Sequence, residues 1–136
     1  MLAAEPSEDA RRAMIAQALP GVMPTRRPPY FDELVEEALR IPPDAIVPNA
    51  NALETMDLRD LVGAYPGPVL VLRGGRDALV TEAMARATVD AYGSQRSRAV
   101  TWEDVGHSPQ IEAPDRFATL LLEFAIGRQP GGTAMT

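Results

Sequence analysis

The chain has 136 residues, 46% of them hydrophobic, with a net charge of −6, one histidine and no cysteine. That length suits one domain. The acidic balance argues against nucleic acid and anionic membranes as partners, and the lack of cysteine excludes disulfides, thiolate nucleophiles and thiolate metal sites.

The opening residues, MLAAEPSEDARR, carry no basic n-region or long apolar run, and no later stretch approaches a membrane span. The expectation is a soluble cytoplasmic protein. A zinc site would have to be built on one histidine and carboxylates, which is uncommon, so no metal or cofactor is expected.

Residues 7–19 predict a helix, with Ser7 as N-cap, Glu8 and Asp9 in the first turn, and Pro20-Gly21 as its stop. Residues 22–29 read as loop, and Arg26-Arg27 as a solvated basic spot. Residues 30–40 place Phe31, Leu34, Val35, Ala38 and Leu39 on one helical face, ended by Pro42-Pro43. Residues 44–56 stay ambiguous, with a short helix as one reading. Residues 57–64 suggest one or two helical turns capped by Asp57.

The character then changes. Pro68 leads into Val69-Leu70-Val71-Leu72, an apolar run of the kind found in a strand covered on both faces. Arg73 to Asp77 reads as a turn. Thr81 suits the N-cap of a helix over 82–92, with Met84, Ala87 and Ala91 inward and Gly93 as terminator. Residues 98–102 read as a second strand with Trp102 in the core, and 103–113 as loop. Pro114 opens a helix to about residue 126, with Phe117, Leu120, Leu121 and Phe124 on its inner face. The tail from 128 is expected to be disordered. Strand, helix, strand, helix in this order predicts two parallel neighbouring strands.

Loops beyond the carboxyl ends of parallel strands carry function in α/β sheets. Asp77 lies five residues past Leu72, and His107 lies five past Trp102. Neighbouring strands stand about 4.8 Å apart, so the two loops would share one edge. Asp77 could then accept a hydrogen bond from the imidazole, fixing its tautomer and stabilising the imidazolium. The alternatives stay open on spacing alone: a turn with a capping aspartate, and a solvated loop histidine.

PVLVLRGGRDALV (68–80) followed by VGHSPQIEAPDRFATLLLEFA (105–125) resembles the C-terminal part of the α/β-hydrolase superfamily. Members carry an apolar strand leading into G-x-x-D, then G-H-x-x-x-x-E-x-P-x-x-F about thirty residues later. The resemblance covers roughly residues 57–126. It implies an α/β fold: the C-terminal portion of an α/β-hydrolase, with parallel strands and helices at 57–127, preceded by a helical lid at 1–56. It gives Asp77 the role of triad acid and His107 that of general base. It gives Glu112 a structural role near the start of the last helix. The implied reaction is ester, or related acyl or carbon–carbon, hydrolysis through a Ser-His-Asp triad.

The nucleophile motif of that family, G-x-S-x-G, does not occur in this sequence, nor does G-x-D-x-G or an upstream oxyanion loop of H-G type. The serines are Ser7, Ser94, Ser97 and Ser108. Two strands also cannot cover the apolar edges such a sheet exposes. The expectation is therefore a portion of a hydrolase, inactive alone. Its partners would be a small-molecule acyl or ester substrate and the N-terminal half of the fold. Two other readings stand beside it. One is a non-enzymatic interaction module, or an inactive remnant that pairs with another chain. The other keeps the fold with dehalogenase, epoxide hydrolase, haloperoxidase or acyltransferase chemistry.

Overall fold

A computed structural model describes residues 6–93 and 97–127. Ser94 and the tail from 128 lie outside the described residues. The chain divides into two units, one of Met1–Gly21 and Arg27–Met56, the other of Val22–Arg26 and Asp57–Thr136.

The first unit is helical: α1 (Glu8–Val22), α2 (Phe31–Leu39) and α3 (Pro43–Thr55). The Ser7 hydroxyl accepts the Ala10 N–H at 3.2 Å, as its N-cap role predicts. Pro20 and Gly21 do not stop α1, which runs one residue past them. A proline near a helix end forfeits one N–H bond while its fixed φ still matches the helix. Arg11 donates to the carbonyls of Leu39 (3.1 Å) and Ile41 (2.9 Å), satisfying the end of α2. On α2, Phe31 and Val35 are buried, as the apolar spacing predicts. Arg27 is 63% exposed, as a solvated basic spot should be, and its guanidinium also lies 3.5 Å from the Phe31 ring centroid and 3.2 Å from Asp32. The ambiguous stretch after Pro42 is helical, with Pro43 in its first turn, where proline fits best.

The second unit holds α4 (Arg59–Val62), β1 (Val69–Gly74), α5 (Glu82–Tyr92), β2 (Ser97–Trp102), α6 (Pro109–Glu112) and α7 (Pro114–Ala125). The two strands pair in parallel, with Leu72 opposite Val100 and Gly74 opposite Trp102. β1 thus continues two residues beyond its apolar run. Val69 to Leu72 are half-buried rather than interior, because the sheet has two strands among the described residues.

The core gathers on one face of this sheet. Val100, Trp102, Val105 and Leu120 are buried together, with Leu70, Leu72, Ala113 and Phe117 packed against them. Burying a side chain of Leu120's size contributes about 2 kcal/mol. The Arg116 guanidinium closes over the Trp102 ring at 4.1 Å and pairs with Asp104 at 2.9 Å.

Two helical faces differ from expectation. On α5, capped by Thr81 as predicted, Ala85 is buried with Val89, Ala91 and Tyr92 half-buried behind it, so that of the expected inner face Ala91 turns inward while Ala87 and Met84 are exposed. On α7, Leu120 is buried but Leu121 is 46% exposed. Adjacent helical residues point about 100° apart, and a two-stranded sheet covers only a narrow stripe.

Candidate active site

The carboxyl ends of β1 and β2 lie side by side, and two backbone bonds tie the loops that leave them. Gly75 N–H donates to the Trp102 carbonyl at 2.7 Å, and Arg76 N–H to the Val105 carbonyl at 2.9 Å. Gly74 makes this approach possible. A Cβ there would sit 1.9 Å from the Gly106 carbonyl oxygen and 2.4 Å from that of Val105. The glycine is required by the close passage of another backbone.

β1 ends at Gly74 rather than at Leu72, so the two loop offsets are unequal. Measured from the paired strand ends, Asp77 follows Gly74 by three residues and His107 follows Trp102 by five. The longer β2 loop turns first at Glu103-Asp104, closed by the Val105 N–H on the Trp102 carbonyl at 3.2 Å, and buries Val105.

The structure brings the two predicted residues together. His107 Nδ1 lies 2.9 Å from Asp77 Oδ2. A carboxylate only accepts, so Nδ1 is assigned as the protonated nitrogen and Nε2 carries the lone pair. The Asp77 side chain is 5% exposed and that of His107 is 37% exposed. The acid is thus shielded while part of the imidazole meets solvent.

Asp77 is also the turn-capping residue of the plainer reading. Its Oδ1 accepts the N–H groups of Leu79 (2.8 Å) and Val80 (3.0 Å). One oxygen holds the loop and the other holds the histidine. Burial pushes the Asp77 carboxyl up, but the backbone donors Val80 and Leu79, then the His107 hydrogen bond and charge, outweigh it, and the net direction is down. Asp77 therefore stays ionised where an imidazolium would need it.

Glu112 is buried and accepts from both sides of His107. Its Oε1 takes the N–H of Gly106 at 3.0 Å and of Ser108 at 3.2 Å. Its Oε2 takes the Thr25 N–H at 2.9 Å and the Thr25 hydroxyl. Thr25 stands in a loop stretch, residues 22–29, that carries no motif of its own. No local signal marks a partner 87 residues away.

No serine completes the site among the described residues, where the imidazole's hydrogen-bond partner is Asp77. Ser7 caps α1, and Ser97 donates to the carbonyls of Val89 and Gly93. Ser108 is buried beside His107 without a hydrogen bond from its hydroxyl to the ring. No group of three His, Asp or Glu side chains that could hold a metal ion occurs among the described residues. No helix among them is long and apolar enough to cross a membrane.

A sequence model of the alpha/beta hydrolase family matches residues 1–120. The chain belongs to that family. No curated protein sequence matches it. Solved structures share its fold, among them the following three.

A membrane phospholipase A described as a bacterial virulence factor matches with a TM-score of 0.65 at 23% identity, over 85% of this chain and 38% of that one. A 2-hydroxy-6-oxo-6-phenylhexa-2,4-dienoate hydrolase from Rhodococcus sp. strain RHA1 matches at 0.63 and 18%, over 93% and 51%. A putative aryl esterase from Burkholderia cenocepacia matches at 0.65 and 22%, over 88% and 42%. This hydrolase-family chain thus spans about half or less of the length of these neighbours.

Proposed function

We propose that this chain is the acid- and histidine-bearing part of an α/β hydrolase that cleaves an ester, or a related acyl or carbon–carbon bond, through a Ser-His-Asp triad. The observation that carries the reading is the 2.9 Å bond from His107 Nδ1 to a shielded Asp77, which leaves Nε2 as the free base. The nucleophile comes from a segment that this sequence does not contain. Exposed apolar side chains on α7 and just past its end support that: Leu122 is 67% exposed and Ile126 is 65% exposed, a surface suited to further core. The helical unit of residues 1–56, less the strap at Val22–Arg26, is the lid in this reading.

On an ester, the serine oxygen bonds to the carbonyl carbon as His107 Nε2 takes its proton, giving a tetrahedral oxyanion and an imidazolium paired with Asp77. Collapse breaks the bond to the leaving oxygen, which receives the proton from Nε2. Water then adds to the acyl-enzyme, its proton passing to Nε2. The serine leaves with that proton and the acid product is released.

The chain alone is expected to show no turnover of p-nitrophenyl butyrate above the uncatalysed rate. Turnover by the purified chain that His107→Ala abolishes would overturn the placing of the nucleophile outside it. Such turnover would favour a self-sufficient site instead.

A further inference from the structure

Resting on the reading of His107 as the base, we propose that Glu112 is a positioning residue for it, and that Thr25 is the other half of the device.

Four donors converge on one buried carboxylate. Two are the N–H groups of Gly106 and Ser108, the residues immediately before and after His107, and both end on Oε1. Fixing the peptide on each side of a residue fixes its backbone, and with it the direction of its Cβ. The ring is then constrained from two ends, by Asp77 at Nδ1 and by Glu112 through the backbone.

Oε2 is anchored in turn by the N–H and hydroxyl of Thr25. Thr25 lies in a five-residue strap, Val22–Arg26, that interrupts the first unit in sequence but belongs to the second. Within this strap Met23 is 4% exposed, and Arg26 Nη1 reaches the Glu112 carbonyl at 3.5 Å. Pro24 packs so closely on Gly106 that a Cβ there would lie 2.3 Å from its Cδ and 2.8 Å from Glu112 Oε1. The histidine loop is therefore gripped between the strap and β1, with the carboxylate at the centre.

Every donor in this set needs an acceptor. A carboxylate offers two, whereas an amide offers one and turns its NH₂ toward the remaining donors. Glu112→Gln keeps the shape and breaks one side of the grip. A purely stabilising role would lower the unfolding midpoint and leave the imidazole as it was. A positioning role changes the imidazole itself.

His107 is the only histidine, so a chain labelled with ¹⁵N-histidine gives the spectrum of this one ring. In the unaltered chain the expected result is a single Nδ1–H tautomer with a low-field proton resonance. Glu112→Gln is expected to lose that resonance while the Trp102 indole signal keeps its folded position. Retention of the resonance and tautomer in folded Glu112→Gln would overturn the proposal. If Glu112→Gln does not fold, Thr25→Val decides: it removes only the hydroxyl, and faster exchange of the Nδ1 proton, restored by Thr25→Ser, is expected. An unchanged exchange rate in Thr25→Val would overturn the proposal. Absence of the low-field resonance from the unaltered chain would instead remove the Asp77–His107 pair, and the functional reading with it.

Discussion

Replacing Asp77 with Asn, in the enzyme completed by its nucleophile-bearing segment, is expected to lower kcat by about 10⁴-fold. The carboxylate accepts the Nδ1 proton and leaves Nε2 free to act as base. An asparagine that keeps both Oδ1 contacts to Leu79 and Val80 must turn its NH₂ toward the ring. That favours the wrong tautomer, with the proton on Nε2. Steady-state hydrolysis of a p-nitrophenyl ester measures the effect. A loss smaller than about tenfold would remove Asp77 from the acid's role.

The same substitution carries a pH signature. Asp77's carboxyl is lowered in the folded state, so its contribution to stability is fully present above the ordinary aspartate value of 3.8 and is lost as the pH falls through its lower folded value. The difference in unfolding free energy between the wild type and Asp77→Asn should therefore shrink on acidification below 3.8. A difference that stays constant through that window would contradict the assigned hydrogen bonds.

Gly74→Ala is expected to cost about 3 kcal/mol, the upper end for overpacking, because the obstruction is backbone rather than a movable side chain. The added methyl would meet the carbonyls of Val105 and Gly106, so the β2 loop has to move away. That movement strains the Arg76–Val105 bond and carries His107 off Asp77. Denaturant unfolding reads the first consequence and the low-field Nδ1 proton reads the second. A Gly74→Ala chain with an unchanged midpoint and an intact resonance would show that the loops are not held as closely as the geometry indicates.

The acid–histidine pairing was legible because each residue stands just beyond a strand in a strand–helix–strand order, and parallel neighbours put both loops at one edge. The equal offsets that suggested it were accidental. β1 continues through Arg73 and Gly74, a charged residue and a glycine that the apolar pattern could not include. Arg73 is accommodated because its Nε donates to the Val80 carbonyl at 2.8 Å.

The inner face of α5 was misread for a different reason. Alanines at 85, 87 and 91 give almost no hydrophobic contrast, so two helical stripes fit equally well. The strap at Val22–Arg26 was invisible because its partner Glu112 is distant in sequence and its own residues carry no periodicity.

On the proposed reading this chain carries two members of a hydrolase triad, and a contiguous segment supplies the third. The DNA upstream of the Met1 codon, read in the same frame for on the order of 130 codons, tests it most directly. The expected result is an open frame encoding a strand, G-x-S-x-G and a helix, in that order. A G-x-D-x-G elbow there would contradict the serine mechanism and redirect the reading to dehalogenase or epoxide chemistry. An in-frame stop just before Met1 would contradict the contiguous nucleophile.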